Sequence, residues 1–259
     1  MNLASIAIRG SSGLQPEVET FISASYANIT DSGIITDLNN LVGSLKTNGL
    51  WTMQKAVYPI VGGNATAHSY NLKDPTLYQI TWSGTLTHNA NGVTGGGGYG
   101  LTGLVPSSVL SLNNTHISAY IRVNGTAGSK YEIGVKGSVG NYRLGLQVTG
   151  VQFWTYMNDD APLNSTPGAA GYYIGSRPNS SGGRNFRNGT RIGGTTTGTA
   201  GLPNAQVALL ATNDNGSILG NSVANLAFVT IGDAFASDAA AGTMYTIVQA
   251  FQTARGRNV

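Results

Sequence analysis

The chain has 259 residues, 41% of them hydrophobic, and carries 14 Lys and Arg against 11 Asp and Glu, a net charge of +3. That length can bury a substantial core, but charged residues make up only 10%, against roughly 25% in an average domain. The absence of cysteine excludes a disulfide frame and a thiolate metal site or nucleophile. No basic run points to nucleic acid, and no apolar run approaches the roughly 20 residues of a membrane helix.

Residues 1–27 read as an N-terminal arm that either packs locally or docks onto a neighbour. Within it Pro16, Glu17 and Glu19 open a short helix carrying Val18, Phe21 and Ile22, and Gly10, Gly13 and Gly33 bracket it. The start, MNLASIAIRGSSGLQPE, has no apolar core or cleavage pattern of a signal peptide. Residues 28–259 read as one domain. Its first element is a helix over 34–48, where Ile34, Leu38, Leu41 and Leu45 repeat on one face. Thr30, Asp31 or Ser32 caps it, and Asn48-Gly49 stops it.

From Trp51 the period shortens to that of strands. KAVYPIV is strand-like, HSYNLKDP runs into a turn at Asp74-Pro75, and LYQITWSGTLTH alternates. The glycine run at 95–98 lacks the Lys-Ser/Thr ending of a phosphate loop, so it predicts a flexible hairpin tip or a close backbone contact. HISAYIRVN, KYEIGVKGS, YRLGLQVTG, VQFWTYMN, GYYIGSR, FRNGTRIGG, QVALLATN and NLAFVTIGD follow, separated by Gly/Asn turns. Such spacing predicts an all-β antiparallel sandwich, and the lack of strand–helix alternation excludes a doubly wound sheet. The chain closes on an amphipathic helix over 238–255. Met244, Ile247, Val248 and Phe251 form its apolar stripe, Ser237 caps it, Asp238 suits its start and Arg255 and Arg257 suit its end. That stripe needs a partner surface, and the preceding strands are the nearest one.

The order of these pieces resembles the concanavalin A-like lectin/glucanase superfamily, in particular its laminin G-like branch. YRLGLQVTG and VQFWTYMN are similar to paired strands of that branch, and FRNGTRIGG to its aromatic-x-Asn-Gly hairpin. QVALLATNDNGSI and NLAFVTIGDAF stand where its final core strands do, over roughly residues 28–257. The helix ending in LKTNGLW and the closing MYTIVQAFQTARGR resemble a variant found in phage, virion and bacterial surface proteins. The resemblance implies a jelly-roll sandwich whose concave face or rim loops bind glycan. Members of the superfamily range from glycan binding to hydrolysis to scaffolding, so the fold alone does not decide.

Glycoside hydrolysis needs two carboxylates about 5–9 Å apart. Of three glutamates, Glu17 and Glu19 lie outside the sandwich, and Glu132 has no acidic residue at the offsets of the superfamily's hydrolases. His68, His88 and His116 show no metal spacing. Two loops, NDDAPLNS (158–165) and TNDNGS (212–217), offer oxygens for calcium, and the second is read first as a turn, since Asp-Asn-Gly takes left-handed geometry. Arg177, Arg184, Arg187 and Arg191 spread through a Gly/Ser/Asn-rich segment as solvated turn residues. Trp154, Tyr156, Tyr172 and Tyr173, with Trp82 and the adjacent Asp159 and Asp160, are the candidate sugar platforms and partners, since aromatic rings offer ordered apolar area. About half of the residues on alternating strands face the core. No catalytic residue, metal or cofactor is expected.

The leading expectation is a non-enzymatic virion protein, a phage head or tail appendage subunit whose outward-facing sandwich touches host-surface glycan. Its partners would be other virion proteins and copies of itself, as a homo-oligomer. The alternative is a bacterial surface glycan-binding module, and the third reading is a divergent glycoside hydrolase.

Overall fold

A computed structural model describes residues 13–25, 29–125, 130–138, 140–150, 152–165 and 169–259. In chain order the elements begin with helices α1 (Pro16–Ser25) and α2 (Ser32–Thr47), strand β1 (Gln54–Tyr58) and the short helix α3 (Ala65–Ser69). Four small strands follow: β2 (Thr81–Ser83), β3 (Leu86–Asn89), β4 (Gly92–Gly95) and β5 (Tyr99–Leu101), then one helical turn, α4 (Pro106–Val109). The longer strands are β6 (Thr115–Val123), β7 (Ile133–Lys136), β8 (Arg143–Val148) and β9 (Phe153–Asp159), with the short β10 (Leu163–Ser165). Next come β11 (Gly171–Asn179), β12 (Gly182–Arg187), β13 (Thr190–Gly194), β14 (Ala208–Leu209), β15 (Thr212–Asp214) and β16 (Ser217–Leu219). Strand β17 (Asn225–Gly232) and helix α5 (Asp238–Ala254) end the chain.

The strands form two sheets, stacked as a jelly-roll-like sandwich. One is eight-stranded, ordered β13-β12-β11-β6-β17-β4-β3 with β1 also on β17; the other is nine-stranded, ordered β10-β9-β8-β7-β14-β5-β2, with the β15–β16 hairpin on β7. Alternation along the strands drives their inward residues into one core: Ile117, Ala119 and Ile121 of β6 meet Leu144, Leu146, Phe153 and Met157 of β8 and β9.

A second core lies on the other face of the eight-stranded sheet. Tyr120, Tyr172, Ile174, Phe186 and Phe228 project there and meet Leu38, Leu41 and Leu45 of α2 and Met244, Val248 and Phe251 of α5. The predicted stripe of α5 therefore finds two partners. The expected strand is there, with Phe228 and Phe251 centroids 6.0 Å apart, and α2 is the second. Helix α2 begins two residues before the predicted Ile34, because Asp31 accepts hydrogen bonds from the amides of Gly33 (2.7 Å) and Ile34 (3.2 Å). Ion pairs tie the helices together: Glu17–Lys46 at 2.6 Å joins α1 to α2, and Asp37–Arg255 at 2.7 Å joins α2 to α5.

Residues 16–25 take the first of the two options read for the N-terminal arm, since Val18 and Phe21 are fully buried in this helical layer. Residues 1–12 and 26–28 lie outside the described residues. The stretch read as HSYNLKDP begins in α3, which Asn64 caps by accepting from the Ala67 amide at 2.9 Å. The glycine run connects β4 in one sheet to β5 in the other, and it is a close backbone contact: a Cβ on Gly98 would lie 2.7 Å from the Ser83 and Thr85 carbonyl oxygens. Asn188 and Gly189, both at positive φ, make the β12–β13 hairpin, and Asn215 and Gly216 do the same between β15 and β16.

Arg257 fastens the end of the chain. Its guanidinium, 1% exposed, donates to the carbonyl oxygens of Ile60 and Pro59 (both 2.7 Å) and Ala227 (2.9 Å) and to Oε1 of Gln252 (2.7 Å). Burial lowers its pKa to about 9, and Arg255 and Arg122 add to the effect.

Candidate carbohydrate-binding face

Because helices cover the outer face of the eight-stranded sheet, that sheet has a core on each side. The polar and aromatic residues of the other sheet's outer face are therefore the ones placed to meet a ligand. On β8 and β9 the residues alternating with the inward Leu144, Leu146, Phe153 and Met157 are Arg143, Gln147, Trp154 and Tyr156. The ladder sets Gln147 opposite Trp154 and Gly145 opposite Tyr156, while Gly134 of β7 pairs with Gly145 and Lys136 with Arg143. The two facing glycines let neighbours pack directly on the sheet: a Cβ on Gly145 would lie 3.3 Å from Cε1 of Tyr131, and one on Gly134 would lie 2.6 Å from Cβ of Thr212.

Tyr131 and Tyr156 stand with centroids 6.5 Å apart and planes tilted by 34°, and the Arg143 guanidinium carbon lies 4.9 Å from the Tyr156 centroid. Burial pushes the Tyr131 phenol above its ordinary pKa, the Tyr156 phenol adds to this, and Arg143 opposes it. Parallel pairing of β15 with β7 brings Asp214 beside Lys136, where they form a 3.0 Å ion pair. These groups, with Thr212 and Leu219 of the β15–β16 hairpin, border a half-open cavity of about 270 Å³ lined by Tyr131, Lys136, Arg143 and Asp214. Three donors on this face, Nε of Arg143, Nε2 of Gln147 and Nε1 of Trp154, are buried without an acceptor among the described residues.

Of the residues anticipated from sequence, Trp154 and Tyr156 lie on this face, half-buried and 9% exposed respectively. Tyr172 and Tyr173 do not, and neither can serve as a platform, because β11 lies inside a sheet buried on both sides. Tyr172 stacks on Tyr120 at 6.3 Å within the helical layer and donates to Oγ of Ser118 at 2.7 Å. Tyr173 sits between the sheets, 4.7 Å from Phe153, and donates to the Ala169 carbonyl at 2.5 Å. Asp159 is likewise withdrawn: its carboxylate pairs with Arg177 at 3.1 Å, both side chains being under 5% exposed, and accepts from the Ala161 amide at 3.0 Å. Asp160 is exposed at the turn leading into β10. Trp82 packs against His88 at 5.0 Å and donates to the Ala65 carbonyl at 3.0 Å, away from the cavity.

The remaining polar candidates are structural. Arg184 and Arg191 form surface pairs with Asp238, at 3.1 and 3.6 Å, and Arg187 lies 5.9 Å from the Tyr173 ring, whereas Arg177, also read as a solvated turn residue, is buried against Asp159. Glu132 is fully buried and accepts from Oγ of Ser222 (2.8 Å) and the Val148 amide (2.7 Å). Burial pushes its pKa up to about 7 against those two bonds. His68 and His88 place their Nδ1 atoms 3.0 Å apart, and His116 shares a hydrogen bond with Oγ1 of Thr230 at 2.9 Å. No group of three or more His, Asp or Glu converges among the described residues.

The sequence reading passed over Tyr131, Lys136 and Arg143 and took Asp214 only as part of the TNDNGS turn. The pattern was there in part: Lys136 and Arg143 bracket the short turn between β7 and β8, where cross-strand pairing makes them neighbours. Asp214 arrives through a parallel pairing that no local pattern announces.

No protein-family model matches the chain, and no curated protein matches its sequence. Similarity to solved structures is extensive and distant. A Trypanosoma rangeli sialidase in complex with 2,3-difluoro-KDN is similar over 82% of this chain at 12% identity and a TM-score of 0.51. This chain spans only 39% of the sialidase. The CBM40 of a Ruminococcus gnavus IT-sialidase, bound to α2,3-sialyllactose, is similar over 52% of this chain and 83% of its own, with 14% identity and a TM-score of 0.40. Domain 4 of AbnA, a GH43 extracellular arabinanase from Geobacillus stearothermophilus in complex with arabinotriose, is similar over 74% of this chain and 98% of its own, with 12% identity and a TM-score of 0.46. At this identity the likeness to the sialidase is one of fold alone, a β-sandwich.

Proposed function

We propose that this chain is a non-catalytic glycan-binding module, with the ligand seated in the cavity that Tyr131, β7, β8 and the β15–β16 hairpin enclose. The observation that carries this reading is the cavity itself. It joins aromatic surface from Tyr131 to fixed polar groups, Arg143, Lys136 and Asp214, on a rigid sheet. Sugars present apolar C–H faces and a rim of hydroxyls, and a site that takes them needs both kinds of partner. The fold supports the reading as a setting in which such sites occur, without assigning one.

What supports a non-catalytic role is where the acids are. Glu132 is enclosed by Ser222 and Val148, Asp159 by Arg177, and Asp214 is engaged by Lys136, which leaves no acid–base pair at the cavity. The virion setting expected from composition, the lack of a signal-peptide pattern and the family resemblance gains no support from the fold or the comparisons, and glycan binding does not require it. The test is a polysaccharide and glycan array followed by calorimetry on Tyr131→Ala. Loss of the aromatic wall should weaken binding by about two- to tenfold, in line with about 0.5–1.5 kcal/mol for an aromatic contact beyond its area. Undiminished binding by a folded Tyr131→Ala protein, or turnover of a bound polysaccharide, would sink the reading.

A further inference from the structure

Resting on the glycan-binding reading, we infer that the cavity selects acidic saccharides, with the Arg143 guanidinium taking the carboxylate of a uronic or similar carboxylated sugar. The charge balance of the cavity points there. Lys136 is neutralised by Asp214 at 3.0 Å. Arg143 has no carboxylate within ion-pair distance among the described residues. Its cross-strand partner is Asp159, the natural counter-ion by position, but that carboxylate turns away to Arg177 at 3.1 Å. A β-bulge between Arg143 and Leu144 interrupts the ladder at this point.

Arg143 is therefore a cation at the wall of a cavity whose other charges cancel. Its planar head rests 4.9 Å from the Tyr156 ring, an arrangement that limits its rotamers and orients the fork. Its Nε is buried without an acceptor among the described residues, so part of the cost of removing the guanidinium from water is already borne in the free protein. A carboxylate accepts two parallel N–H bonds from such a fork, and these are shorter and stronger than neutral ones. Neutral sugars offer hydroxyls only and leave the charge uncompensated.

The experiment is calorimetry of the full chain with three polymers of matched length: a polyuronate, a sulfated polysaccharide and a neutral glucan. It is repeated for Arg143→Gln and Arg143→Lys, with circular dichroism confirming that each variant is folded. The inference expects the polyuronate to bind at least tenfold more tightly than the glucan, with an advantage that shrinks as salt rises. Arg143→Gln should lose that advantage, and Arg143→Lys should keep only part of it because it has the charge without the fork. Glucan binding equal to polyuronate binding, or a polyuronate advantage that survives in Arg143→Gln, would overturn the acidic preference and leave the glycan-binding reading standing. A preference confined to the sulfated polymer overturns it as well. Binding to none of the three overturns both.

Discussion

Replacing Arg257 by Met removes the donor set that ties the chain's end to the sandwich. The wild-type guanidinium serves four acceptors at 2.7–2.9 Å: the carbonyls of Pro59, Ile60 and Ala227 and the Gln252 side chain. After the substitution Ala227 keeps a weaker donor, Nε2 of Gln252 at 3.4 Å, but the other three acceptors lose this one. An orphaned buried polar group costs about 1–3 kcal/mol, so three of them amount to roughly 3–9 kcal/mol before relief is counted. The relief is the desolvation of an unpaired guanidinium, whose depressed pKa shows it to be substantial, together with apolar contact from the Met side chain. The net expectation is a loss of about 3–5 kcal/mol. Urea unfolding followed by tryptophan fluorescence and far-ultraviolet circular dichroism measures it as a shift of midpoint at constant slope. Arg257→Lys should fall between, because an ammonium has three donors and reaches fewer of the four acceptors. If Arg257→Met lies within 1 kcal/mol of wild type, the hydrogen bonds are not what holds the tail, and packing of the 252–257 segment would have to explain its burial.

Three further outcomes are expected. Asp159→Ala strands Arg177 in the interior, where both partners are under 5% exposed, and should cost about 3–5 kcal/mol; an unchanged urea midpoint would refute the pairing. Stability should fall on acidification below pH 6.5. Burial holds His68 down at about 3 and His116 at about 4, so the unfolded chain takes up the protons: their contribution is full above about 6.5 and is lost as pH drops toward those values. Each costs about 1.4 kcal/mol per pH unit in that window. Glu132 opposes them, since its raised pKa of about 7 makes the folded state bind the proton first, with a contribution that is full below about 4.5 and lost as pH rises through 7. The net expectation is a loss of about 2 kcal/mol between pH 6.5 and 5, read from urea midpoints, and a stability that rises on acidification would contradict it. Glu132→Gln, which keeps partners for both Ser222 and Val148, should steepen the acid loss by removing the opposing group.

Local signals on the chain determined the elements and the class of fold. The stripe Met244, Ile247, Val248 and Phe251, the caps Asp31 and Ser237 and the Asn188-Gly189 turn act over three or four residues, and each stands where its pattern placed it. Short strands separated by Gly/Asn turns likewise specified an all-β sandwich, because period-2 alternation has to bury one face. Which face of which sheet stays open was decided only in three dimensions. Tyr172 and Tyr173 look like Trp154 and Tyr156 in sequence, aromatic residues in β-rich runs. Yet the helical layer closes over the first sheet and leaves the second pair on an outer face, since packing α2 and α5 on Phe228 buries both of their apolar stripes at once. Asp159 read as a ligand because its partner Arg177 is remote in pattern, and it became structural because β9 and β11 bring the two together. The cavity of Tyr131, Lys136, Arg143 and Asp214 is assembled from three separate strands, one pairing in parallel, and side chains brought together from such distances along the chain leave no periodicity to read.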